Sequence, residues 1–116
     1  MSAEAEAIAE IVDAQLSEIA DVSIQSRLEA ITVQPRQESR IKSWNPSAGS
    51  FLCWIVADFG NGVGIAFCRN SPVLNESPWG LVFLAGDDLG GPNNWYRSLE
   101  GLYRDSGYME LSPPET

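Results

Sequence analysis

Residues 51–69, FLCWIVADFGNGVGIAFCR, decide the fold of this chain. They are two apolar runs joined by Gly60-Asn61-Gly62, and an Asn-Gly pair between such runs is the strongest short-range signal of a β-hairpin. A two-residue type I′ turn at Asn61-Gly62 would set the register and place six side chains on one face: Trp54, Val56, Asp58, Ile65, Phe67 and Arg69. The other face would carry Phe51, Cys53, Ile55, Ala57, Ala66 and Cys68. Both faces are mostly apolar, so either helices cover both or one face meets another molecule.

The segment before the hairpin predicts two helices and a strand. Residues 2–20 repeat apolar side chains at helical spacing, which indicates an amphipathic helix with Ser2 as its N-cap. Asp21 caps a second, shorter helix, which we expect Pro35 to end. Residues 38–44 then predict the first strand. A local basic island at residues 36–42, which includes Arg36 and Arg40, is expected to neutralise the acidic first helix.

The segment after the hairpin predicts one more strand and a last helix. Residues 79–85, WGLVFLA, read as an apolar core strand, followed by a glycine-rich loop. Ser98 is a suitable N-cap for the last helix, and Gly107 a suitable end for it. The sequence therefore predicts an α+β fold, an antiparallel sheet of about four strands with N-terminal helices and one C-terminal helix. Residues 1–111 are expected to form one domain and residues 112–116 a flexible tail.

The charge balance limits the classes of partner. The 116 residues include 16 acidic and 7 basic side chains, for a formal net charge of −9. Such a field repels nucleic acid and anionic membranes and attracts a basic protein. No apolar run approaches the roughly 18 residues of a membrane span, and no basic leader precedes an apolar core. We expect a cytoplasmic protein that binds neither nucleic acid nor membranes, in an oligomeric state that the sequence leaves open.

The chemistry-bearing residues point to binding rather than catalysis. The chain has no histidine and no Cys-x-x-Cys pair, so we expect no metal site, no other cofactor and no enzymatic activity. Cys53 and Cys68 are expected to be buried thiols, although their place on one face leaves a disulfide open. The adjacent carboxylates Asp87 and Asp88 lie in a turn-forming loop that does not match a calcium-binding pattern.

Aromatic and acidic residues together predict a partner-binding surface. Tryptophan and tyrosine dominate binding hot spots, and carboxylates beside them can pair with Arg or Lys of a partner. The predicted surface consists of Glu76, Asp87, Asp88, Trp95 and Tyr96. Packing at the rim of the sheet is the alternative role for the two aromatic residues.

The N-terminal helices and three later stretches carry a resemblance to a known class of protein. The N-terminal helices, PWGLV at 78–82, WYRSLE at 95–100 and RDSG at 104–107 resemble small acidic bacterial immunity proteins, over roughly residues 50–107. The resemblance implies a cytoplasmic protein that neutralises a cognate toxin by direct binding. A basic toxin fits the charge, and a nuclease is one candidate.

Two alternatives remain open at this point. One is a small ligand-binding domain or enzyme, with a pocket on the Trp54, Val56 and Phe67 face and Asp58 as its polar group. The other is a structural subunit of a stable complex, which would use an uncovered face of the sheet as its interface.

Overall fold

A computed structural model describes residues 3–41, 47, 49–69, 77–89 and 94–106. In these ranges the elements follow in the order α1 (Ala3–Ser17), α2 (Val22–Ile31), β1 (Thr32–Ile41), β2 (Ser50–Asp58), β3 (Val63–Phe67), β4 (Trp79–Phe83), β5 (Trp95–Tyr96) and α3 (Leu99–Ser106). The strands form one antiparallel sheet whose spatial order is the chain order. The α+β class is confirmed, with helices at the N-terminus and one near the C-terminus.

Side-chain caps begin two of the helices where the sequence predicts them. The Asp21 carboxylate accepts hydrogen bonds from the backbone N–H groups of Ser23 and Ile24, at 3.0 and 3.3 Å. The Ser98 hydroxyl accepts one from the N–H of Gly101 at 3.0 Å. Both caps satisfy N–H groups that have no partner inside the helix.

The three helices described above pack on one face of the sheet. This helix-side core includes the strand residues Trp54, Val56, Ala57, Ile65, Phe67 and Trp79. The helices contribute, among others, Ile8, Val12, Ile24, Leu28, Leu102 and Tyr103. A Val, Leu, Ile or Phe side chain contributes about 1.5–3 kcal/mol when fully buried, so this layer holds the helices to the sheet.

The hairpin lies where the sequence predicts it, but its turn is one residue longer. Phe59 N–H donates to the carbonyl of Val63 at 2.9 Å, which closes a loop of Gly60, Asn61 and Gly62. The two glycines have φ angles of 88° and 90°, which residues with a Cβ rarely adopt.

A bulge in β2 then changes the faces of the hairpin. Ala57 lies opposite Ile65, but Ile55 lies opposite Ala66, so Val56 is an extra residue in its strand. The predicted register is therefore wrong. Val56 and Ala57 both reach the helix-side core, and Asp58 consequently lies on the opposite face.

The first strand begins earlier than predicted. It starts at Thr32, directly after α2 ends at Ile31, and Pro35 lies inside it rather than ending the helix. An edge strand tolerates proline because the missing N–H can face away from the neighbouring strand. The pairing with β2 is interrupted between Thr32 and Arg36, where the chain bulges around this proline.

The second face of the sheet is covered by the chain itself rather than by helices. Its buried cluster consists of Cys53, Ile55, Ala66, Cys68, Val82, Leu89 and Trp95. Leu89 belongs to the segment after β4, and Trp95 to β5, a short fifth strand within a region predicted as loop. These seven residues are buried, whereas Leu52 of β2 and Phe83 of β4 are large apolar side chains of the sheet that stay 52% and 68% exposed.

Several predictions fall on residues outside the described ranges. They concern Ser2, residues 42–44, Glu76, Gly107 and the tail at 112–116.

Candidate partner-binding surface

Residues 84–89, which we call the acidic loop, run from β4 back to the end of β1. The N–H of Ile41 donates to the carbonyl of Asp87 at 3.0 Å, and the N–H of Leu89 donates to the carbonyl of Ile41 at 2.8 Å. These two bonds place Asp88 beside Ile41 in a short parallel bridge. The loop is therefore attached to the edge of the sheet through its backbone.

A buried arginine holds the acidic loop by hydrogen bonds to its backbone. Arg40 is 1% exposed, and its Nη1 donates to the carbonyl oxygens of Phe83 at 3.2 Å and of Asp88 at 2.8 Å. Its Nε and Nη2 both donate to one carboxylate oxygen of Glu38, at 3.0 and 2.7 Å. The guanidinium thus links β1, the end of β4 and the loop with charge-assisted bonds.

Trp95 fixes the far end of the acidic loop. Its indole Nε1 donates to the carbonyl of Leu89 at 2.7 Å, and its side chain is 5% exposed. The ring lies directly over Gly80, leaving no space there for a Cβ. Trp95 therefore supports the loop from inside the protein, and its ring is not available to a partner.

The two carboxylates of the loop differ in exposure. Asp87 is exposed and Asp88 is half-buried. Both are held on a backbone whose carbonyl groups are bonded to β1, so the loop presents adjacent anionic groups at a fixed position.

Tyr96 lies away from this loop. Successive residues of a strand point to opposite faces, and Tyr96 packs against the helix-side core while Trp95 packs on the second face. Burial, and secondly the negative charge of Asp105, raise the pKa of the Tyr96 hydroxyl. Of the predicted surface, the structure brings together Asp87, Asp88 and the supporting Trp95.

Sequence reasoning missed the role of Arg40 and Glu38. The bases of this segment were expected to neutralise the acidic first helix, but Arg36 and Arg40 both pair with Glu38 on their own strand. Alternate residues of a strand share a face. If this segment is taken as a strand, the spacing of Arg36, Glu38 and Arg40 therefore predicts that the two arginines pair with the glutamate between them. The burial of Arg40 had no local signal.

The exposed side of α1 is strongly acidic. It carries Glu6, Glu10 and Asp13, Glu18 follows directly after the helix, and the helix has no basic residue in its last turn. None of these four forms an ion pair with a residue of the described ranges. Their charge therefore contributes directly to the negative field around the molecule.

A cavity of about 410 Å³ lies on the second face beside Asp58, not on the Trp54 face where a pocket was predicted. Its lining consists of Val33, Gln34, Pro35, Arg36, Ile55, Asp58 and Leu84. The Trp54 face is filled by the helices, and Asp58 reaches the cavity because of the bulge in β2. One oxygen of Asp58 accepts a hydrogen bond from Gly60 N–H at 2.7 Å, so this carboxylate also shapes the hairpin turn.

Comparison with protein-family models, curated proteins and solved structures gives no match to this chain. Among the described residues, no helix is long and apolar enough to cross a membrane. No group of three or more metal-ligating side chains converges within these same ranges. Function is therefore inferred from the chain's own residues.

Proposed function

We propose that this chain is a non-enzymatic binding protein of the immunity type, which inhibits a cognate basic toxin by direct binding. The observation that carries the proposal is the fixed backbone of the acidic loop, bonded to Arg40, Ile41 and Trp95. A loop already held in one conformation loses little conformational entropy when a partner binds. Asp87 and Asp88 on this loop offer adjacent carboxylates to Lys or Arg side chains.

The overall charge supports the same proposal. A net charge of −9 attracts a basic protein and raises the rate of encounter, most strongly at low salt. The acidic side of α1 contributes to this attraction over a distance. The acidic loop instead supplies the short-range contacts, so the two surfaces have different effects on binding.

The predicted aromatic residues take different parts in this proposal. Trp95 contributes indirectly: its indole N–H donates to the carbonyl of Leu89 and so fixes the position of the acidic loop. Tyr96 is half-buried on the other face of the sheet and would contact only a partner that wraps around its edge. Glu76 stays a predicted contact.

The experiment pairs this protein with candidate toxins, beginning with the products of the genes that neighbour its own, and compares two double variants. In D87K/D88K, the charge of the loop is reversed. In E10K/D13K, the same amount of charge is reversed on α1, at two residues that are both exposed. Binding kinetics at low and moderate salt give association and dissociation rates for each variant.

We expect both variants to associate more slowly, because both weaken the attraction to a basic partner. Only D87K/D88K should also dissociate faster, by at least tenfold, because it loses direct charge pairs. In a growth assay, wild type and E10K/D13K should protect cells from the toxin and D87K/D88K should not. Wild-type affinity in D87K/D88K would refute the proposed surface, and failure of wild type to bind or protect would refute the immunity function itself.

Binding of a small molecule is a second candidate function, favoured by the cavity beside Asp58. Its volume of about 410 Å³ lies within the range of ligand pockets, and Arg36 and Asp58 give it both signs of charge. A library of small charged compounds tested by NMR should then shift the backbone resonances of Val33, Arg36 and Leu84 together. A lack of such shifts at millimolar compound would exclude this function.

A further inference from the structure

The two cysteines lie directly opposite each other on neighbouring strands. Trp54 pairs with Phe67, the last residue of β3, and continuing that register by one residue places Cys53 opposite Cys68, which directly follows β3. Both belong to the cluster of the second face, with exposures of 0% and 1%, and both are reduced. The predicted register had placed them on a diagonal, two residues out of line. The three-residue turn removes one residue of that offset, and the bulge in β2 removes the other.

The backbone bonds show which kind of cross-strand pair this is. The N–H of Cys68 donates to the carbonyl of Pro78 at 2.8 Å, on the side of β4. The N–H and C=O of one strand residue point to the same side, so Cys68 exchanges no backbone bond with Cys53. Opposite residues of such a non-hydrogen-bonded pair have Cα atoms about 4.5 Å apart, within the range of about 4.4–6.8 Å that a disulfide requires.

The side chains lie on the same buried face of the sheet. The Cys53 thiol donates to the carbonyl of Phe51 at 3.8 Å, and the Cys68 thiol donates to the carbonyl of Leu52 at 3.5 Å. The Cys68 sulfur therefore reaches across to β2, the strand that carries Cys53. The neighbouring Cys68 thiol, and secondly burial, raise the pKa of Cys53.

We propose that Cys53 and Cys68 are a redox modification site, which closes to a disulfide in a glutathione buffer without a change in the hairpin register. A thiolate of one cysteine attacks oxidised glutathione and releases one reduced glutathione. The second thiolate then attacks the mixed disulfide and releases another. The protein loses two electrons and two protons, which reduce one glutathione disulfide to two thiols.

Burial determines when this reaction occurs. Attack requires a thiolate and access to the oxidant, and both sulfurs are inaccessible while the pKa of Cys53 is raised. Oxidation of the folded protein is therefore slow, and oxidation during folding is fast. The site is independent of the proposed toxin binding, because neither cysteine is exposed to a partner.

The test refolds the full chain from urea in glutathione buffer at several ratios of oxidised to reduced glutathione. Free thiols are then blocked by alkylation, and mass spectrometry counts the alkyl groups and any bound glutathione. The mass of refolded wild type should be lower by two hydrogen atoms, and the protein should carry neither an alkyl group nor glutathione. The disulfide closes a loop of about 15 residues, and should raise the melting temperature by about 10 °C.

Cys53→Ala and Cys68→Ala are the matched controls, because each keeps one thiol at its native position. Both should carry only mixed disulfides, with no rise in melting temperature from oxidation. Backbone NMR spectra of oxidised and reduced wild type should differ only near the two cysteines. Persistent mixed or intermolecular disulfides in wild type, or an oxidised form with a lower melting temperature, would overturn the proposal.

Discussion

Replacing Arg40 with methionine tests how the acidic loop is held. Methionine keeps a long unbranched side chain that can fill the same space, but it has no N–H donors. The substitution removes the donors that now bind the carbonyl oxygens of Phe83 and Asp88 and one carboxylate oxygen of Glu38. We expect the loop to lose its attachment and the protein to lose stability.

The size of the loss follows from these bonds. Removing a donor from a buried acceptor costs about 1–3 kcal/mol, and breaking a buried ion pair costs about 3–5 kcal/mol. The Glu38 side chain is 25% exposed and its other oxygen stays paired with Arg36, so solvent offsets part of the cost. The free energy of unfolding should therefore fall by about 3 kcal/mol.

Arg36→Met is the matched control, because Arg36 binds the same glutamate from a position that is 58% exposed. Exposed ion pairs contribute about 0–1 kcal/mol, so this variant should stay within about 1 kcal/mol of wild type. Urea unfolding followed by tryptophan fluorescence and circular dichroism gives both values. Hydrogen exchange should also become faster at the N–H groups of Ile41 and Leu89 in Arg40→Met alone. If the two variants were equally stable, Arg40 would not be the support that its hydrogen bonds indicate.

Two further predictions concern the two residues of β5, Trp95 and Tyr96. Gly80→Ala forces the Trp95 ring out of its position, because a Cβ would overlap it, and should cost about 1–3 kcal/mol in urea unfolding. Gly86→Ala, where the nearest other atom would be 3.7 Å from the Cβ, is its control and should cost much less. For Tyr96, the raised pKa means that the protonated hydroxyl favours the folded state, so this contribution is complete below pH 10 and is lost as the pH rises further. Asp105→Asn should lower the Tyr96 pKa, measured by NMR titration of the tyrosine rings, and an unchanged value would contradict the assigned effect of this charge.

Local signals determined where several elements begin and end. The Gly60-Asn61-Gly62 turn, the Asp21 cap and the Ser98 cap all act within four residues of chain, and all are present. Such signals operate through steric preference and short-range hydrogen bonds, which depend little on the rest of the protein. The helical spacing of apolar residues likewise fixed which sides of the helices face the core.

Register was not determined locally. The bulge at Val56 is energetically acceptable because it sends both Val56 and Ala57 into the helix-side core, and that core exists only after the helices have packed. The same change moved Asp58 to the other face and, together with the three-residue turn, aligned Cys53 with Cys68. A one-residue shift in a strand exchanges its faces, so the predicted pocket was on the wrong side of the sheet.

The sequence by itself determined the α+β composition, the hairpin and the acidic charge of this protein. Only the tertiary structure decided the support of its candidate binding surface. Arg40 reaches carbonyl groups that are 43 and 48 residues away along the chain, and Trp95 packs over Gly80 of β4 while its indole binds the carbonyl of Leu89. An arginine is stable inside a protein when several distant acceptors meet around it, and no pattern of neighbouring residues encodes that arrangement.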